Sequence, residues 1–421
     1  MINTNLLNAV FSDKKGRIFT DDRFFAGGRY HKLFKPLEVS CVIPLPEDTI
    51  IFMLPERNPV VFDKNLQPIL LGDRIPVAAF IPPGYTQTLL ASFKKPDDSD
   101  LILPLFSYAA IGSFRDKLYV AALQTDKDTR HKISSFNDNI ILRRGTELIK
   151  KFPHNRLIKH LVSKCAFEYK CPNARNLIMN RYEAPLPVSP RCNSQCLGCI
   201  SFQKKSSKVM SNQNRLDFIP TEEELLEVAE YHINNTKKSI ISFGQGCEGE
   251  PLLMAEKISK VIRRLRQKYN KNVTININTN GSDPEALKYL FECGLDSVRI
   301  SLNSAQERLY NYYYKPINYS FDDVLKSISL GKRLKKWISL NYFIFPGVTD
   351  SIIEYKCLRR IIKKCKPSMI QLRNLNIDPD WYIDILKIEK PSSVSGIKNL
   401  LKMISDEFPF IKFGYFNPYL R

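Results

Sequence analysis

The chain has 421 residues, enough for two or three domains, and its 43% hydrophobic and 11% aromatic content fits a globular protein with a real core rather than a disordered or fibrous one. Lys and Arg outnumber Asp and Glu by 63 to 43, a net charge of +20 that permits attraction to nucleic acid, an anionic surface or an acidic substrate. No apolar run approaches membrane-spanning length, and the start Met1–Leu6 lacks a basic segment followed by an apolar one. The expectation is a cytoplasmic chain with no membrane partner, whose ten cysteines serve metals or catalysis rather than disulfides.

Residues 1–135 read as a mainly-β domain. Apolar, partly β-branched runs at 37–45, 49–54, 59–62, 77–81, 86–93, 101–111 and 118–123 are separated by turn signals such as Pro82-Pro83-Gly84. Cys41 falls in one of these runs and is expected in the core. Residues 136–182 read as a basic helical connector, with helices over 139–152 and 155–167. Without an aromatic stacking platform, Arg143, Arg144, Lys150, Lys151, Arg156, Lys159 and Lys164 read as a solvated helix face rather than a nucleic-acid patch. Cys165 and Cys171 follow. Two cysteines with no evident third and fourth read as buried thiols rather than ligands of a second cluster.

From residue 183 to 421, strands and helices alternate. Strands are expected over 183–189, 239–243, 272–278, 297–303, 338–345 and 369–373, with a last edge strand over 411–416. A polar, flexible insertion falls at 203–214, and capping boxes at Thr221/Glu224 and Ser282/Glu285 open two of the helices. The pattern predicts an α/β fold: a partial (βα)6 barrel preceded by a small mainly-β domain. Side chains alternate along strands, so Val298, Ile300 and Leu302 belong to the helix-covered face, and Arg299, Ser301 and Asn303 to the lumen. Asn276, Asn278, Gln371 and Arg373 join the second set. A lumen this polar needs partners, which a polar cofactor and substrate would provide.

The most informative stretch is Cys192-Asn193-Ser194-Gln195-Cys196-Leu197-Gly198-Cys199, a C-x3-C-x2-C triplet with no regularly spaced fourth cysteine. A structural zinc site takes four protein ligands, and an ordinary [4Fe–4S] cluster takes four thiolates. A zinc knuckle would need a distant partner, and the next histidine, His232, lies in a predicted helix. After the second strand comes Gly244-Gln245-Gly246-Cys247-Glu248-Gly249-Glu250-Pro251, where glycines allow close backbone approach and a glutamate can accept from an ammonium group. Cys247 reads as a bystander thiol. Asn278-Thr279-Asn280-Gly281, Ser301-Leu302-Asn303-Ser304 and Phe345-Pro346-Gly347-Val348-Thr349-Asp350 end the next three strands.

In content and strand order, residues 183–373 resemble the radical S-adenosylmethionine (SAM) enzymes. The resemblance implies a [4Fe–4S] cluster on Cys192, Cys196 and Cys199 whose open iron binds SAM. It implies cofactor contacts from Gly249, Glu250, Asn280, Ser301 and Asn303, and a turn at 345–350 near the adenine. Arg373, with Arg299, is the candidate anchor for an anionic group in the active site. The implied chemistry is one-electron cleavage of SAM to methionine and a 5′-deoxyadenosyl radical that abstracts hydrogen from substrate, with electrons from a reductant such as ferredoxin or flavodoxin. The substrate class is left between RNA or peptide and a small molecule, beside a non-catalytic Fe–S redox or sensor module. Gly198 departs from the family, which usually carries an aromatic residue before the third cysteine to help hold the adenine.

Overall fold

The computed structural model describes residues 5–420. Seven parallel strands run in sequence order through its second half: β1 (Glu183–Leu186), β2 (Ile240–Phe243), β3 (Thr274–Thr279), β4 (Ser297–Leu302), β5 (Trp337–Ile344), β6 (Met369–Asn374) and β7 (Lys412–Gly414). Parallel neighbours need long crossovers. Helices Glu222–Asn235, Ala255–Tyr269, Pro284–Glu292, Phe321–Leu334, Ile352–Cys365 and Ile397–Glu407 supply them. The sheet ends at β1 on one side and β7 on the other, so the expected partial barrel forms, with β7 as its short last edge.

The strand faces divide as the alternation predicts. Val298, Ile300 and Leu302 are fully buried in the core shared with the helices. In the lumen, Asn276 bonds Ser242, Ser297 and Asn278, Arg299 donates to Gln371 (3.3 Å), and Arg373 donates to Asn341 (2.8 Å). The seam between β1 and β7 is plugged by polar groups. Asn417 donates to Glu183 (2.8 Å) and accepts from Gln371 (3.2 Å), and Asp126 accepts from the Tyr415 backbone (2.9 Å).

Local differences have local causes. The Thr221/Glu224 capping box is present. At the later helix Asp283, not Ser282, is the cap, accepting from Ala286 N (2.9 Å), because Ser282 is drawn into bonds with Asn193 and Asn280. Two unforeseen helices, Glu307–Tyr314 and Pro379–Leu386, follow β4 and β6. The second connector helix is α-helical only over Arg156–His160 and continues as a π-helix over Leu161–Glu168. Residues 203–214 hold no regular element, yet Gln203 is pinned to the Leu197 and Cys199 carbonyls and Asn212 to Leu105 O.

The β-rich region begins at Asn8, well before the first expected strand, and it is built on a repeat fifty residues apart. Asn8–Ser12 turns into Ile18–Phe25 as Asn58–Phe62 turns into Pro68–Leu70. In each turn one aspartate oxygen (Asp13 or Asp63) accepts two backbone N–H groups, and the residue three along (Gly16 or Leu66) has positive φ. The copies pair reciprocally, Ser12 with Ile75 and Phe62 with Phe25, which is a local two-fold. Cys41 is exposed on a 3-10 turn, not in the core, because Val39–Cys41 interrupts the expected strand.

This region docks on the barrel rim near the C-terminal ends of β5 and β6. Arg57 donates to Asp378 (2.7 Å) with both side chains buried, Arg29 pairs with Asp380, His31 N donates to Pro346 O (2.9 Å), and Gln87 N to Asn374 (2.8 Å). The Phe345–Asp350 turn is therefore an anchor for the first domain. Among the described residues no helix is long and apolar enough to cross a membrane.

Candidate active site

Active sites of βα barrels sit at the C-terminal ends of the strands. Here the loop after β1 carries Cys192, Cys196 and Cys199. The helix Glu307–Tyr314 holds that loop. Its last carbonyls have no partner within the helix, and Tyr314 O accepts from Gln195 N (2.8 Å) and Tyr313 O from Leu197 N (3.0 Å). Gly198 has a physical reason. A Cβ there would stand 2.8 Å from the Tyr313 hydroxyl, so the buried Tyr313 ring already fills that space.

The loop after β2 packs against the cysteine loop like a paired strand. Gly249 N donates to Ser189 O (2.7 Å) and Glu250 N to Arg191 O (2.8 Å). A Cβ on Gly249 would lie 1.9 Å from the Arg191 oxygen, so only glycine fits. Glu250 is buried and accepts from Leu252 N (3.0 Å), Asn280 N (2.8 Å) and the Thr279 hydroxyl. A carboxylate has about four acceptor sites, so about one remains. Burial pushes this carboxyl up to about 7 despite those donors. Asn280 closes the knot, its amide donating to Asn193 (2.8 Å) and Ser194 (3.0 Å). Glu248 is structural. It accepts from Val188, Ser189 and Gln245 backbone N–H groups, and burial raises it to about 8.

The three cysteines are half-buried. Burial, then Glu250, pushes Cys192 up to about 11, and burial, then the other two cysteines, raises Cys196 well above the ordinary thiol range. Arg215 donates to Cys199 Sγ (3.5 Å). Thiols that crowd one another in this way fit a cationic iron cluster that would take them as thiolates. Cys247 faces the other way: its sulfur and ligand atoms of His160 and Cys165 all lie within 4.8 Å of one another. A cavity of about 230 Å³ opens beside Cys196 and Cys199, lined in part by Phe202, Lys204, Arg215, Lys315 and Trp381.

The structure thus gathers Cys192, Cys196, Cys199, Gly249, Glu250 and Asn280 into one knot. Among the described residues, Ser301, Asn303 and Arg373 make no hydrogen bond to it. Asn303 donates to Leu309 O and Tyr382, and its Oδ1 is buried without a partner. Arg373 lies over the Tyr415 ring, 3.7 Å from its centroid. Arg299 Nε is also buried without a partner, and burial, then Arg373, lowers that guanidinium to about 9. Orphaned polar atoms in the barrel fit a polar ligand. Asn193, Ser194, Thr279, Tyr313 and Arg215 escaped the sequence reading. Asn193, Ser194 and Thr279 sat inside recognised motifs, and Tyr313 lies in a helix no signal had announced.

A thiol-rich loop knotted to a buried glutamate on the rim of a parallel partial barrel defines the class of protein. Residues 186–355 match the Radical SAM superfamily. Among curated proteins it is similar to the dual-specificity RNA methyltransferase RlmN of Oleidesulfovibrio alaskensis, 27% identical over 126 residues, 29% of this chain and 35% of the relative. It is also similar to the FeMo cofactor biosynthesis protein NifB of Chlorobaculum tepidum, 24% identical over 190 residues, 39% of this chain and 41% of the relative. The match therefore spans well under half the length of either relative. Among solved structures, HydG, a maturase of the [FeFe]-hydrogenase, aligns at a TM-score of 0.40 and 17% identity over 68% of this chain and 64% of that one.

Proposed function

We propose that the chain is a radical SAM enzyme in which Cys192, Cys196 and Cys199 hold a [4Fe–4S] cluster with SAM beside Glu250. The observation that carries this reading is the knot of Glu250, Asn280 and the cysteine loop, with Cys247 turned away from the triplet. When bound, the cluster supplies the electron that splits SAM, and SAM supplies the 5′-deoxyadenosyl radical that takes hydrogen from the substrate. Glu250 accepts a hydrogen bond from an ammonium group with its remaining acceptor site, and Gly249 lets the backbone come close. Asn280 keeps the two loops in register. Tyr313 fills the space beside the third cysteine and excludes water from it. Ser301 and Asn303 offer polar groups on the β4 side, and Arg299 and Arg373 anchor an anionic group in the lumen.

On this reading residues 1–135 form a docking domain, 136–182 a connector and 183–421 the catalytic barrel. A ferredoxin- or flavodoxin-type reductant in the cytoplasm serves it. The charge of +20 and the similarity to an RNA methyltransferase favour RNA as the substrate class to test first. The buried ion pairs that hold the first domain against the rim favour a small-molecule substrate as the second reading.

The test is anaerobic reconstitution with iron and sulfide, then SAM and dithionite, with 5′-deoxyadenosine measured. Product that disappears in the Cys196→Ala variant is expected. A fully loaded cluster that yields none would overturn the enzymatic reading in favour of a redox or sensor module.

A further inference from the structure

A second group of metal-binding side chains lies apart from the cysteine triplet. His160 ends the helix Arg156–His160, Cys165 lies in the π-helix Leu161–Glu168, and Cys247 lies in the glycine loop after β2. A π-turn bonds residues five apart, so it carries Cys165 round to the face of His160; an α-helix would point the two side chains away from each other. The ligand atoms of His160, Cys165 and Cys247 all lie within 4.8 Å of one another. Cys165 and Cys247 are buried, and His160 Nε2 is buried without a hydrogen-bond partner. Cys171 stands outside that set but next to it, its backbone N–H donating to Cys165 O (2.8 Å), and is the thiol placed to be drawn in as a fourth ligand.

A tetrahedral zinc ion, with Zn–S near 2.3 Å and Zn–N near 2.0–2.1 Å, holds its ligand atoms roughly 3.5–3.8 Å apart. Ligand atoms within 4.8 Å of one another reach that spacing by closing in by about 1 Å or less. A cubane cluster spreads its thiolates around a much wider body. Mixed imidazole and thiolate donors in a closed, buried setting suit zinc.

We infer that His160, Cys165, Cys171 and Cys247 bind one zinc ion that staples the connector to the glycine loop. Binding releases the thiol protons to solvent and leaves the imidazole neutral. The ion closes a contact between residues more than eighty apart, three residues from Glu250, and fixes the loop that carries Glu248, Gly249 and Glu250. This site stands whether or not the cysteine triplet holds a cluster.

The test uses the full chain carrying Cys192→Ala, Cys196→Ala and Cys199→Ala, expressed with zinc and purified without chelator. One zinc per chain by mass spectrometry, with no iron–sulfur absorbance, is expected. Adding Cys165→Ser or Cys247→Ser should lower that content at least tenfold, and His160→Asn should make zinc removable by a mild chelator. Should the serine variants fail to fold, cobalt titration of the metal-free parent reads the same site. Tetrahedral ligand-field bands with thiolate charge transfer support it. Absence of both stoichiometric zinc and the cobalt spectrum, zinc indifferent to the serine substitutions, or iron–sulfur absorbance surviving in the triple variant would each overturn it.

Discussion

Arg57→Met tests whether the β-rich region is held on the barrel as one body. Arg57 and Asp378 are 0% and 2% exposed in their side chains and meet at 2.7 Å. Asp378 spends its other acceptor capacity on Leu103 N (2.9 Å) and on Asp380 N (2.9 Å) at the start of the helix Pro379–Leu386. Methionine fills much of the arginine volume, so the loss is electrostatic: a carboxylate left buried with three backbone donors, Leu103, Asp380 and Trp381, and no counter-charge. Removing one partner of a buried pair costs about 3–5 kcal/mol, a large share of a total stability of about 5–15 kcal/mol. Urea unfolding at 25 °C, followed by tryptophan fluorescence, would measure it, and Trp381 next to the cap reports on the same contact. Adding Asp378→Asn removes the orphaned charge while keeping a capping oxygen. The double variant should therefore regain about 2 kcal/mol, within the range of coupling between contacting residues. A single-variant loss below about 1 kcal/mol, or double-variant losses that simply add, would refute the claim that this ion pair clamps the two regions together.

Gly249→Ala places a methyl 1.9 Å from Arg191 O, beside Cys192. Iron content after reconstitution should fall by more than half, with a stability loss of about 1–3 kcal/mol from overpacking; unchanged iron would contradict the strand-like packing of the two loops. Glu250→Gln sets an amide N–H against a backbone donor and removes an ionic acceptor worth about 1.5–3 kcal/mol. SAM affinity of the reconstituted protein, measured by calorimetry, should weaken at least tenfold. His232 is buried, and burial lowers it to about 4 although its ring meets Tyr182 O. Its folded-state pKa is depressed below the ordinary 6.5, so the stability it protects is fully present above pH 6.5 and is lost as pH falls from there to about 4. That is about 3 kcal/mol at 1.36 kcal/mol per pKa unit. Urea midpoints at pH 7.5 and 4.0 should diverge less in His232→Gln than in the parent; an equal divergence would assign the acid sensitivity elsewhere.

The barrel was legible because its signals are periodic. β3 and β4 alternate cleanly over six residues each, and the lumen assignment of Asn276, Arg299 and Gln371 followed from alternation alone. The cysteine and glycine loops were legible because few chemistries need those residues at that spacing. The helix Glu307–Tyr314 was not, since five of its eight residues are aromatic or leucine on overlapping faces and no cap precedes it. The repeat in the first region was hidden because its copies share a turn geometry rather than residues: Gly16 and Leu66 adopt the same left-handed conformation, and only Asp13/Asp63 and a few neighbours are identical. Cys165 and Cys247 looked like isolated thiols because their meeting depends on a π-turn, a backbone feature without a residue signature.

The plugged seam narrows where a ligand can sit. A partial barrel leaves two sheet edges, and unpaired edges and polar lumen groups both need partners. Here the partners come from outside the sheet: Asp126 and Arg130 from the end of the β-rich region, and Asn417 from the C-terminal tail. Together they satisfy Glu183 and Gln371 on the two sides of the gap. Among the described residues, the orphaned buried side-chain atoms on or just past the barrel strands are Arg299 Nε on β4 and Asn303 Oδ1 just past its end. Both lie on the strand next to β3, whose end carries Asn280 and the Glu250 knot. Asn303 lies just past the C-terminal end of β4, whereas Arg299, the third residue of that strand, is bonded to Gln371 beside the plugged seam, so a polar ligand that satisfied both would have to reach from the rim into the lumen.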